Sequence, residues 1–341
     1  MSNLKKVLLT GGAGYIGSHT AVELIEQGFD IIIVDDFSRS DESLMAGIEK
    51  IANQKVICYK GNCGDEPFLT SVFQKEKINA VLHFAAYKSV NESVNNPLLY
   101  YQNNLGSLVN LLKVMEKFDV NEIIFSSSCT VYGEPDHIPV DESAIFKKAE
   151  SPYGATKQMS ERILEDTVLA NGNLRAISLR YFNPIGAHAS ALIGELPIGI
   201  PGNLVPYVTQ TAAGVREKLT VFGNDYQTPD GSCMRDFIHV VDLAKAHVKA
   251  IQKISSLKNH YEFFNLGTGE GITVLSLVRR FVAATGVNLN FEIGPRRAGD
   301  VEKTYANPAK AEKLLNWKAE LSLEQSLVHA WQWEKKIRGI A

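Results

Sequence analysis

The sequence predicts an α/β fold: a doubly wound parallel sheet followed by a smaller C-terminal mixed α/β lobe. Three observations lead there. Short apolar runs alternate with amphipathic segments through the first half of the chain. Within the runs, polar and apolar residues do not alternate, as expected of strands covered on both faces. A glycine-rich turn joins the first run to the first amphipathic segment.

The expected strands are 6–9, 31–35, 56–60, 80–84, 122–127 and 176–180, each rich in Val, Ile, Leu or Phe. Helical patterns lie between them at 15–27, 66–75, 98–117 and 153–170. Pro97 suits the first turn of the third helix, with Asn95 and Asn96 as capping candidates. Residues 183–203 carry Pro184, Gly186, Gly194, Pro197, Gly199, Pro201 and Gly202 and read as a long irregular loop. Beyond it helices and short strands mix, ending in a helix near 322–338 whose Trp331 and Trp333 suit packing. The expected division is 1–182 and 183–341, with some C-terminal segments returning to the first unit.

The 341 residues are 45% hydrophobic and 21% charged, the balance of a globular chain with a sizeable core. A net charge of −3 without basic runs argues against nucleic acid or an anionic membrane as partner. No stretch approaches the ~18 apolar residues of a membrane span, and no signal segment is visible. Cys58, Cys63, Cys129 and Cys233 form no C-x-x-C, so reduced thiols in a cytoplasmic protein are expected. The eight histidines form no ligand cluster, so no metal site is expected.

Gly11, Gly12, Gly14 and Gly17 follow the first strand and open the first helix. Glycines there allow backbone to approach a pyrophosphate seated on the helix N-terminus, the arrangement of a Rossmann-type dinucleotide site. Asp35 ends the second strand, where a carboxylate can accept from a ribose 2′-OH and would repel a 2′-phosphate; NAD is favoured over NADP. Asp36 could instead turn the loop, and Arg39 suits a solvated loop position.

Tyr153 and Lys157 stand four residues apart, on one face of a helix. The spacing is common by chance. Beside a dinucleotide it has a use: a cation near the phenol favours phenolate, lowering a pKa of about 10. The pair could then take a proton from a sugar hydroxyl. Ser128, at the end of the fifth strand, is the third catalytic candidate; Ser126 and Ser127 suit structural roles.

Ser126-Ser127-Ser128, Thr130-Val131-Tyr132-Gly133 and Ser151-Pro152-Tyr153-Gly154-x-x-Lys157 resemble the extended short-chain dehydrogenase/reductase family. Arg180–His188, Phe222–Tyr226, Arg235–Ala244 and Pro295–Asp300 resemble its branch that epimerises UDP-hexoses at C4. The resemblance implies interconversion of UDP-glucose and UDP-galactose through a transient 4-keto sugar, with NAD tightly bound. It implies cofactor contacts at Tyr15, Ile16, Asp35, Asp36, Phe37, Asn62, Cys63, Phe84, Ala85, Lys88, Asn103, Ser128, Tyr153, Lys157 and Phe182. Substrate contacts are implied at Ser128, Tyr153, Asn183, Asn203, Leu204, Thr220, Phe222, Arg235, Arg297, Asp300 and Thr304. A homodimer through the 98–117 and 153–170 helices is also implied.

Three positions depart from the family pattern. Asn62 stands where relatives often carry an acid, Phe237 where some carry tyrosine, and Thr304 where a bulky tyrosine is frequent. Thr304 would leave room for a 2-acetamido group, extending the expected substrates to UDP-GlcNAc and UDP-GalNAc. UDP-pentose or UDP-uronic acid epimerisation is the alternative. A 4,6-dehydratase would need an acid–base pair where Cys129 and Thr130 stand. A non-catalytic NAD-binding scaffold would not need Ser128, Tyr153 and Lys157 together.

Overall fold

The structure, a computed structural model, describes residues 5–297 and 301–341. β1 (Lys6–Thr10) leads through the glycine turn into α1 (Tyr15–Glu26), then β2 (Asp30–Asp35), α2 (Ser43–Ala52), β3 (Ile57–Lys60), α3 (Glu66–Lys75) and β4 (Ala80–His83). α4 (Val90–Asn95), α5 (Pro97–Tyr100) and α6 (Gly106–Lys117) precede β5 (Glu122–Ser128), and α7 (Pro152–Ala170) precedes β6 (Arg175–Tyr181). β7 (Asn183–Ile185), α8 (Leu204–Ala212), β8 (Leu219–Phe222), β9 (Met234–Arg235), β10 (Phe237–His239), α9 (Val240–Lys253) and β11 (Tyr261–Leu266) follow. The chain closes with β12 (Ile272–Thr273), α10 (Val274–Thr285), β13 (Phe291–Gly294), β14 (Lys303–Thr304), α11 (Ala309–Leu315) and α12 (Leu323–Arg338).

Seven parallel strands form the central sheet in the order β11-β6-β5-β4-β1-β2-β3. The continuous apolar runs have a direct cause. Val7, Leu9, Ala80 and Leu82 feed the core on one face, while Leu8, Val81, Ile123 and Phe125 feed the core on the other. Each fully buried Leu or Ile in such a layer contributes about 1.5–3 kcal/mol. Strand order reverses between β1 and β4, so a crevice opens beyond their C-terminal ends. Around a third core, α8, β8, α10 and α12 bring together Val208, Val221, Phe281 and Leu327.

Several expectations change. The helix expected over 98–117 is interrupted: a π-helical turn, Tyr101–Leu105, separates α5 from α6. The wide turn coincides with Asn104, whose side chain bonds both backbone groups of Tyr87 and the Thr156 hydroxyl at 2.9–3.1 Å. Pro97 does open α5, but Asn96 caps it with no side-chain bond. The loop over 183–203 contains β7, which pairs with β10, and a bridge between Ala187 and Gly194. α2 and β11 were not expected from the sequence. Glu262 and Asn265 inside β11 break its apolar run, yet Tyr261–Leu266 pairs with β6 throughout.

Candidate active site

The glycine turn passes beneath β4's exit. Gly11 has φ +70°, and a Cβ there would stand 2.7 Å from the Ala85 amide nitrogen. A Cβ on Gly17 would stand 2.4 Å from the Gly11 carbonyl oxygen, so this second position also excludes a side chain. Gly12 is buried and Gly14 is the N-cap of α1, with no side chain to accept from the first-turn amides. Those amides, including those of Tyr15 and Ile16, form a cradle suited to an anion.

Asp35 is buried at the end of β2 and accepts from the Ala13 amide at 3.0 Å, the Phe37 amide at 3.0 Å and the Ser40 hydroxyl at 2.8 Å. A carboxylate has about four acceptor sites, so one remains for a ribose hydroxyl. Burial raises its pKa and these three donors oppose the rise. Asp36 accepts from the Ser38 amide and from Asn62 Nδ2, and Asn62 in turn accepts from Gly64 N at 2.7 Å. Both side chains thus shape the loop around the crevice. Phe37 adopts φ +57°. Cys63 is buried, with its thiol pushed up to about 12 by burial. Phe84 packs on His247, Phe182 is buried in a small core with Val131 and Tyr132, and Asn103 donates to Asn104.

α7 begins where Ser151 Oγ accepts from the Gly154 amide at 3.1 Å and Pro152 occupies the first turn. That start puts Tyr153 and Lys157 one turn apart against β5. Lys157 is 3% exposed and its Nζ donates to the Ser126 carbonyl at 2.5 Å. Burial pushes the ammonium down to about 7, and Glu161 one turn further opposes that shift. Tyr153 moves the other way. Burial pushes its phenol up to about 12, the Ser128 hydroxyl opposes the rise, and Cys129 adds to it. Lys157 is not bonded to the phenol: its Nζ lies 5.8 Å from the Tyr153 ring centroid and is engaged with Ser126. Ser128 ends β5 and accepts from the Thr130 amide at 3.2 Å.

Across the crevice, Asn183 opens β7 and pairs with Phe237, while Arg235 in β9 lies in register with Thr304 in β14. Asp236, between them, is buried and accepts from the backbone of Thr268, Gly269 and Ala306 at 2.8–3.1 Å. It ties two chain segments, at 268–269 and at 306, behind Arg235. Thr220 and Phe222 lie in β8; the Thr220 hydroxyl donates to Glu292 at 3.4 Å, and Arg297 stands 5.8 Å from the Phe222 ring. Arg296 is instead committed to Asp225, at 2.7 Å, and to the Tyr226 ring. Asn203 is the N-cap residue of α8 and Leu204 its first residue. Lys88 and Asn203 both bond Glu195. Asp300 lies outside the described residues. Among the described residues no His, Cys, Asp or Glu group could hold a metal, no helix is long and apolar enough to cross a membrane, and the four cysteines are unpaired.

Sequence reasoning missed a buried charge pair below the site. Glu161 receives Arg180 at 2.6 Å, both side chains nearly fully buried, and the Ser127 hydroxyl at 2.5 Å. Arg180 also donates to Tyr132 and lies 4.0 Å from the Phe263 ring centroid. The available signal was Glu161's place four residues beyond Lys157, on the same helix face. Glu195 carried no signal of its own.

A family model described as NAD dependent epimerase/dehydratase family matches residues 7–267. The chain belongs to that family. Its relatives extend the similarity over the C-terminal lobe. UDP-glucose 4-epimerase uge1 of Schizosaccharomyces pombe is 47% identical over 337 residues, 97% of this chain and 94% of the relative. The Yersinia enterocolitica UDP-glucose 4-epimerase is 46% identical, covering 96% of this chain and 97% of its own. The crystal structure of UDP-glucose 4-epimerase from Bifidobacterium longum in complex with NAD+ and UDP superimposes with a TM-score of 0.94 at 45% identity, covering 97% and 98% of the two chains.

Proposed function

We propose that this chain is an NAD-dependent isomerase that reversibly inverts C4 of UDP-glucose and UDP-galactose. The observation that carries the reading is the meeting of Ser128, Tyr153 and Lys157 at the mouth of the crevice lined by the glycine cradle. The cradle fits a dinucleotide: two glycine positions have no room for Cβ, the helix N-terminus lacks a side-chain cap, and Asp35 keeps one acceptor site. NAD held in that cradle would supply a reversible hydride acceptor for the sugar C4 and a positive nicotinamide ring beside the phenol.

Tyr153 takes the proton from the C4 hydroxyl and later gives it back, and Ser128 relays that proton between sugar O4 and the phenol. A phenol held near 12 is a weak base at neutral pH, so added positive charge must favour the phenolate. Lys157 supplies part of it if Nζ turns from Ser126 toward the ribose and phenol. Asn183, Arg235, Arg297 and the Asn203–Leu204 turn hold the UDP-sugar, the arginines matching phosphate oxygens. The unit 1–182 carries the cofactor and 183–341 the sugar nucleotide, with α9 and β11 packed back on the first.

The substrate range extends to UDP-GlcNAc and UDP-GalNAc, because Thr304 is small and lies beside Arg235. The enzyme works as a cytoplasmic homodimer, and the observation that favours a partner is apolar exposure at Val94, Leu98 and Leu169 on α4, α5 and α7. The test is incubation with UDP-galactose, and separately UDP-GalNAc, without added NAD. UDP-glucose and UDP-GlcNAc are the expected products; no conversion of either substrate would sink the reading.

A further inference from the structure

We propose that Glu195 is a positioning residue that ties the cofactor subsite to the substrate subsite. The inference rests on the reading above, in which Lys88 serves the first and Asn203 the second. One oxygen makes the tie. Glu195 Oε1 accepts from Lys88 Nζ at 2.9 Å and from Asn203 Nδ2 at 2.6 Å. Lys88 lies beyond β4 in the dinucleotide-binding unit, whereas Asn203 caps α8 in the other.

The aim of this carboxylate is set by contacts that do not use it. Trp333 Nε1 donates to the Glu195 carbonyl oxygen at 2.9 Å, and the indole lies so close to Gly194 that a Cβ there would stand 2.5 Å from it. The same segment is fastened upstream, where the Tyr15 hydroxyl donates to the Gly186 carbonyl at 2.7 Å, directly beside the glycine cradle. Glu195 is only 11% exposed at its side chain while Lys88 is 60% exposed. A fixed acceptor thus holds a long, otherwise solvated cation in place. Lys has three N–H donors and the Asn amide two, so each can keep its bond to Glu195 and still offer a donor to a ligand oxygen. Removing the carboxylate would release both donors together, and both subsites would lose orientation.

The full-length protein distinguishes this from a merely structural role. Wild type, Glu195→Ala, Glu195→Gln, Lys88→Met and Asn203→Ala are compared for UDP affinity by calorimetry, for exchange of bound NAD with labelled NAD, and for kcat and KM with UDP-galactose. Glu195→Ala is expected to weaken UDP binding and speed NAD exchange about tenfold each, raising KM far more than it lowers kcat. Lys88→Met should move chiefly the NAD arm and Asn203→Ala chiefly the UDP arm. Glu195→Gln should restore UDP binding more than NAD retention, because its amide oxygen still accepts from Asn203 but carries no charge for Lys88. Should both arms stay within about twofold in Glu195→Ala, or only one move, the coupling is overturned. A wild type that binds neither NAD nor UDP overturns the functional reading itself, and the coupling with it.

Discussion

The Lys157 ammonium lies 5.8 Å from the centroid of the Tyr153 ring and donates to the Ser126 carbonyl at 2.5 Å. The two groups are adjacent but not bonded, and their shifts diverge: burial pushes the phenol up to about 12 and the ammonium down to about 7. The site is thus built from two groups whose charged forms the protein interior disfavours, a common signature of chemistry rather than packing.

That arrangement has a cost with a defined pH dependence. The folded-state value of Lys157, about 7, lies below its ordinary 10.5, so between these limits the unfolded chain binds the extra proton. The destabilisation is full below about pH 7 and fades as pH rises toward 10.5. Lys157→Met should therefore unfold roughly 2 °C or more above wild type at pH 6.5, with the difference shrinking by pH 10, while turnover falls at least about tenfold. Differential scanning calorimetry at several pH values checks the sign; a variant less stable at pH 6.5 than at pH 10, relative to wild type, would refute it.

The buried Glu161–Arg180 pair should behave as a unit. Glu161→Ala leaves Arg180 charged and enclosed, at an expected cost of about 3–5 kcal/mol in urea unfolding. Glu161→Leu combined with Arg180→Met should recover most of that loss. If the double variant is as unstable as Glu161→Ala, the penalty does not come from the stranded charge.

Under the proposed function, Thr304 sets the substrate range. Placing a phenol in register with Arg235 should cut turnover of UDP-GalNAc at least about tenfold and leave UDP-galactose within about threefold. Equal losses on both substrates in Thr304→Tyr would show that the position does not discriminate the 2-acetamido group.

Much of the fold and site is legible in the sequence, for a physical reason. Strands such as Val7–Leu9 and Ala80–Leu82 feed cores on both faces, so their apolar runs are uninterrupted. The glycine turn reads clearly because steric exclusion at Gly11 and Gly17 tolerates no other residue. What stayed hidden depends on partners distant in sequence. Glu262 and Asn265 disguise β11, although Asn265 accepts from Tyr132 and donates to the Val140 carbonyl across more than a hundred residues. Glu161 reads as a solvated helix residue until Arg180 is seen beside it. Spacing places Lys157 near the phenol but does not say where Nζ points, and here it points at the Ser126 carbonyl.

Tyr153 is proposed as the acid–base group of a reversible C4 oxidation, and Tyr153→Phe removes that group while keeping the ring. The variant, purified and assayed on UDP-galactose with bound NAD quantified in the same sample, should lose about 10²–10⁴ in kcat while keeping its NAD. Turnover within about threefold of wild type, with NAD still bound, would show that Tyr153 is not that group.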